Sequence, residues 1–247
     1  MDKKRVFSWV LYDVANSAYY TTVMAGFFPI FFERYWSNPE EVDISTFYLG
    51  LSNSIGSLIV ALISPFLGAI ADRLSSKKKF LFIFTYMGIL SCASLYLVSK
   101  GDWKLAATLY ILANVGVASS LTFYNSLLLS ISNKDNIDFI SSLGYSAGYL
   151  GGALLFLLNV MMYQFPEFFG IANSSEAIKL SFLSVSIWWL IFSIPVFLFV
   201  PEPKDSNNKL NKTFSNSWSQ LKTTFKHIKK LKVVGLFLIS YWFYMDG

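Results

Sequence analysis

Seven long apolar runs limit what this chain can fold into more tightly than any motif it carries. They extend over Val6–Phe32, Thr46–Ala71, Phe80–Val98, Leu105–Ile131, Phe139–Tyr163, Ile178–Val200 and Val233–Gly247. A helix rises about 1.5 Å per residue and a bilayer's hydrocarbon layer is ~30 Å thick, so roughly 20 apolar residues cross it. The first six runs reach that length. The seventh offers 15 residues, about 22 Å of helix, and predicts a fragment, a split gene or a truncated product. Lipid gives backbone amides no partner, so each run must close its hydrogen bonds internally as a helix. The expected fold class is therefore an all-α polytopic membrane protein. Residues 1–200 form a six-helix transmembrane bundle, 201–232 a cytoplasmic linker, and 233–247 the start of a seventh, truncated helix. Composition agrees: 54% of residues are hydrophobic and 14% charged, against roughly 25% charged in soluble domains.

The polar connections fix an orientation and exclude several chemistries. Of 20 Lys and Arg residues, 16 fall on the side of the N-terminus and the linker, and four (Arg34, Lys100, Lys104, Lys179) on the other. Basic loops stay inside, which predicts a cytoplasmic N-terminus in the cell membrane. The formal charge of +5 is thus a matter of topology, and no nucleic acid partner is expected. A cleaved leader does not fit the N-terminus, because Asp13 and Asn16 interrupt its apolar stretch, which continues past Phe32. One histidine, His227, argues against an imidazole zinc site, and one cysteine, Cys92, precludes an intrachain disulfide. No nucleotide motif is present, and no cofactor is expected. Within the linker, Phe214, Trp218, Leu221, Phe225 and Ile228 recur every three or four residues between lysines. That pattern suits a helix lying on an anionic leaflet, a helix packed on the protein's own cytoplasmic face, or a calmodulin-type target.

Polar residues inside the runs are the candidates for function, because charge at membrane depth costs a few kcal/mol. Asp13 is followed at +3, +4, +7, +8 and +11 by Asn16, Ser17, Tyr20, Thr21 and Met24, one face of a helix. Such a stripe must face protein or water. It predicts a solute cavity, the alternative being a polar contact between helices with Asp13 snorkelling to the interface. A carboxyl there is chemically able to carry a coupling proton or cation. The fourth run carries a second stripe, Asn114, Ala118, Thr122, Asn125 and Ser126, suited to hydrogen-bonding a solute or another helix. Gly144, Gly148 and Gly152 form a ridge in the fifth run, predicted to let a neighbouring backbone approach closely. A Trp-x-x-x-Asp element at Trp9–Asp13 recurs at Trp242–Asp246, the corresponding first and seventh helices of a chain built from two similar halves.

The connection Gly68-Ala69-Ile70-Ala71-Asp72-Arg73-Leu74-Ser75-Ser76-Lys77 resembles the G-x-x-x-D-R-x-x-x-[RK] signature of the major facilitator superfamily. The fifth-run glycines resemble its antiporter motif, except that Tyr149 stands where that motif has proline. More narrowly, Trp9–Tyr19, Phe123–Leu128, Ser141–Tyr145, Gly148–Gly152, Trp188-Trp189, Val200–Pro203 and Tyr244–Gly247 are similar to the vacuole-effluxer-like family. The resemblance implies about twelve helices in a complete chain and, for fungal members, amino acid export from the vacuole.

Together these readings predict the N-terminal half of a secondary transporter for a small-molecule substrate, working by alternating access beside a missing C-terminal half. Asp13, Asn16, Ser17, Tyr20 and Asn125 are expected to line the substrate or ion site, with Asp246 facing them. Gly68, Asp72, Arg73 and Lys77 are expected to act in gating, and Gly144, Gly148 and Gly152 in packing. No enzymatic activity is expected. The competing classes are a non-transporting six-helix scaffold and an intramembrane aspartyl protease using Asp13 with Asp246.

Overall fold

A computed structural model describes residues 2–37, 42–74 and 76–202, together with 236 and 240; at residues 42, 65 and 69–74 it describes the backbone alone. The linker beyond Glu202, Asp246 and all but two positions of the seventh run lie outside the described residues.

Helix α1 (Lys3–Ala18) starts at Asp2, whose carboxylate accepts the Lys4 and Arg5 backbone N–H groups at 3.1 and 3.4 Å. An N-cap of this kind satisfies amides that the first turn leaves open. The helix then continues without a break through a π-helical stretch, Tyr19–Phe27, a short α2 (Phe28–Phe31), and a second π-helical stretch, Phe32–Trp36. The Phe28 N–H reaches the Val23 carbonyl, and the Ser37 N–H the Phe32 carbonyl at 2.8 Å. Pro29 lies between the two stretches; it has no N–H to donate, and its ring crowds the carbonyl of Ala25 near the end of the first. Regular α spacing, expected through Met24, ends at Ala18.

Five further helices are long and apolar enough to cross a membrane. They are α3 (Val42–Leu74), α4 (Lys77–Ser94, extended by a 3-10 turn at Leu95–Leu97), α5 (Trp103–Ile131), α6 (Ile137–Gln164) and α7 (Ser174–Phe199). The continuous first span, Lys3–Trp36, precedes them, and each of these helical segments is longer than its apolar run, because hydropathy marks the apolar length rather than the helix ends. The difference matters most in α3. It carries Gly68, Asp72 and Arg73 on its last turns, so only two residues separate its end from Lys77, where α4 opens.

In the bundle, α1 packs against α6 and α7, α4 against α5 and α7, and α3 against α5. Aromatic rings fill the centre. Phe28 stacks on Tyr110 at 3.9 Å, Trp36 on Phe182 at 5.8 Å, and Trp9 on Tyr124 at 4.4 Å. The close approach of α4 and α5 depends on glycine. A Cβ on Gly116 would lie 2.6 Å from the Gly88 nitrogen and 2.8 Å from the Phe84 carbonyl oxygen. At the linker end, Lys78 Nζ donates to the carbonyls of Phe197 (2.6 Å) and Val200 (2.9 Å), which α7 leaves without helical partners. The Lys78 N–H donates to Glu202 and Ser130 Oγ to the Pro201 carbonyl, so the exit of α7 is held from two neighbouring helices.

Candidate functional site

The polar face of α1 does not point outward. Gly144, Gly148 and Gly152 of α6 lie against it: a Cβ on Gly144 would meet the Trp9 ring at 2.6 Å and Asp13 Oδ2 at 3.2 Å. One on Gly148 would meet Ser17 Oγ at 2.6 Å, and one on Gly152 the Ser17 carbonyl at 3.2 Å. Thr21 Oγ1 donates across this contact to the Gly152 carbonyl at 3.3 Å. The ridge thus brings the α6 backbone onto the Asp13 face, which a side chain of ordinary size would prevent.

Where α1, α5 and α6 diverge, a cavity of about 210 Å3 opens. Asp13, Asn16, Ser17, Tyr20 and Asn125 all line it. Asp13 is 6% exposed, and among the described residues no basic side chain forms an ion pair with it. Asn16 Nδ2 donates to the Tyr12 carbonyl at 2.8 Å, which fixes the amide beside the carboxyl group. Asp13 lies ten residues after Lys3, about 15 Å along the helix axis.

Sequence reasoning did not single out the aromatic walls. Trp9 is stacked on Tyr124 and donates its Nε1–H to the Tyr124 carbonyl at 3.2 Å. Tyr145 and Tyr149 stand one turn apart on α6, 57% and 71% exposed, each following a ridge glycine. Their four-residue spacing within a glycine-rich run was the available signal.

A second cavity, about 300 Å3, lies between the first span, α3 and α5 and includes Tyr20, Met24, Asn53, Asn114 and Ala118. The two stripes therefore divide: Asn125 borders the first cavity, Asn114 and Ala118 the second, and Tyr20 both. Asn114 Oδ1 accepts from Tyr19 Oη at 2.9 Å. Thr122 and Ser126 border neither. A Cβ on Gly68 would meet none of the described residues within 4 Å, and Asp72 and Arg73 occupy the end of α3. Asp246 lies outside the described residues.

Known proteins share much of this chain. The family model described as "Vacuole effluxer Atg22 like" matches residues 35–138 and 129–247. An uncharacterised MFS-type transporter, YxiO, of Bacillus subtilis is 33% identical over 97% of this chain and 56% of its own length. Autophagy-related protein 22 of Vanderwaltozyma polyspora is 24% identical over 99% of this chain and 58% of its own. An uncharacterised protein of Aquifex aeolicus is 28% identical over 81% and 46%. The chain spans about half the length of these curated relatives. No solved structure matches.

Proposed function

This chain belongs to the vacuole effluxer Atg22-like family of the major facilitator superfamily, and from that premise we propose that it is one half of a secondary transporter. It moves a small solute, with amino acids as the candidate cargo, by alternating access. It sits in the cell membrane with the N-terminus in the cytoplasm, following the basic residues. The observation that carries this proposal is Asp13, without an ion-pair partner among the described residues, in a cavity between α1, α5 and α6. Such a group is costly at membrane depth unless water or a ligand reaches it. Tyr20 joins this cavity to the one holding Asn53 and Asn114, so a polar strip runs along the surface that a second six-helix half would cover.

In this mechanism the two halves rock about the strip, exposing it to each side in turn. Asp13 carries the coupling proton or cation, Asn16, Ser17, Tyr20 and Asn125 contact the solute, and Asp246 approaches from the other half. The segment from Gly68 through Asp72 and Arg73 to Lys77 gates the cytoplasmic end. The test is solute uptake into proteoliposomes containing both halves. Asp13→Asn is expected to abolish gradient-driven uptake at unchanged expression; unaltered uptake removes Asp13 from the mechanism.

A further inference from the structure

We infer that the cavity beside Asp13 binds an organic ammonium group, the carboxylate meeting its charge and the tyrosines of α6 and the first span covering its alkyl part. This deepens the transport reading and rests on it for its physiological meaning.

The cavity's charge is one-sided. Asp13 is its single ionisable carboxyl group, and neither Lys nor Arg is among the residues that border it. An anion or a neutral sugar would leave that carboxylate unmatched. A metal ion of the hard type takes six to eight oxygen ligands. The described residues contain no cluster of three or more acidic, histidine or cysteine side chains to supply them. What surrounds Asp13 instead is aromatic. Trp9 and Tyr124 form a stacked floor, and Tyr20, Tyr145 and Tyr149 stand around the opening. The face of such a ring carries negative potential and attracts ammonium groups, most strongly when water is excluded. Asn16 and Asn125 add amide oxygens, whose partial negative charge suits a cation with or without N–H groups.

Two of these rings, Tyr145 and Tyr149, lie outside the packed core of the described residues. Tyr149 is 71% exposed and Tyr145 57%, so their faces are not consumed by packing within this bundle. Aliphatic residues would suit a purely lipid-facing or packing position as well. Tyrosine beside a ridge glycine lines the same cavity as Asp13 while α6 lies close to α1.

The test uses the purified chain in phosphatidylglycerol nanodiscs, whose headgroup bears no ammonium, and follows tryptophan fluorescence on titration with choline. The comparison compound is 3,3-dimethylbutan-1-ol, which has the same shape without the charge. Choline is expected to bind saturably and the alcohol not to. Asp13→Asn should weaken choline by roughly tenfold or more through lost charge attraction, and Tyr149→Leu by roughly two- to fivefold. Tyr149→Phe should leave the dissociation constant unchanged, because the ring face and not the hydroxyl makes the contact. Tyr149 is exposed, so its variants fold even where Asp13→Asn does not.

Equal binding of choline and the alcohol overturns the inference, as does a choline affinity indifferent to both Asp13→Asn and Tyr149→Leu. A repeat in phosphatidylcholine nanodiscs separates a free solute from a lipid headgroup: an unchanged constant supports the solute, and a weakened one shows the lipid competing for the site. Choline binding without solute flux in proteoliposomes refutes the transport reading and leaves the ammonium site standing. Flux that persists in Asp13→Asn while that variant loses choline binding removes Asp13 from transport and leaves the ammonium site standing, whereas solute flux in a parent chain that shows no saturable choline binding refutes the site alone.

Discussion

Gly116→Ala is expected to destabilise the bundle by about 2 kcal/mol, an amount that follows from where the added methyl group would go. Its Cβ would sit 2.6 Å from the Gly88 nitrogen, 2.7 Å from the Gly88 Cα and 2.8 Å from the Phe84 carbonyl oxygen. All three are backbone atoms of α4, so no side-chain rotation relieves the clash. Ordinary contact between such atoms needs roughly 3.5–4.0 Å, and α4 and α5 must therefore separate by about 1 Å. Overpacking of this kind costs about 1–3 kcal/mol, and with backbone on every side the upper end applies. Against it stands the gain of about 1 kcal/mol when alanine replaces glycine inside a helix. The difference leaves about 2 kcal/mol, or roughly 4–8 °C in apparent Tm for a chain of this size. Gly50 is the matched control, because a Cβ there meets none of the described residues within 4 Å; Gly50→Ala should hold or raise Tm. The assay is thermal unfolding of the purified protein in a fixed detergent. A Gly116→Ala variant melting with or above the parent would refute the claimed backbone contact between α4 and α5.

Other outcomes follow from the same packing. Gly148→Ala should cost less than Gly116→Ala, since its closest contact, at 2.6 Å, is the rotatable Ser17 hydroxyl; adding Ser17→Ala should recover Tm in a double-mutant comparison. Lys78→Met should lower Tm by several degrees. It removes two charge-assisted hydrogen bonds to the end of α7, together on the order of 2 kcal/mol after discounting for partial exposure. Lys79→Met, at an exposed neighbour, should have no effect. Cysteine at Asp43 should react with an impermeant maleimide from outside and cysteine at Lys77 only from inside; the native Cys92 is buried and adds little background. The reverse labelling pattern would overturn the proposed orientation.

What could be read from the sequence was what repeats at short range. Hydropathy finds crossings because each depends on about 20 consecutive residues, and α3–α7 stand where it puts them. The Asp13–Thr21 stripe and the Gly144–Gly152 ridge are equally local, one period of a helix repeated. The structure adds that the two are halves of one contact, because the ridge glycines lie on the stripe. The missed features join distant residues or depend on backbone adjustments. Trp9 meets Tyr124 across 115 positions, and Gly88 meets Gly116 with no periodic pattern to connect them. The widened stretch between Tyr19 and Phe27 has Pro29 just beyond it as its nearest sequence signal, but proline also permits a plain kink or a helix end.

That widening has a consequence for the site. Beyond Ala18 the i→i+5 pattern turns downstream residues relative to regular α spacing. Met24 borders the cavity of Asn53 and Asn114 and not that of Asp13. A single straight stripe would have made one narrow polar groove along α1. The helix instead distributes its polar face over two cavities, with Tyr20 between them. A solute passing along this face would meet Asp13 with the Asn16 and Asn125 amides in one compartment and uncharged groups, Asn53 and Asn114 among them, in the other, so charge recognition is confined to one part of the path. The register of the Tyr19–Phe27 stretch, rather than the order of polar residues in the sequence, thus sets which side chains share each cavity.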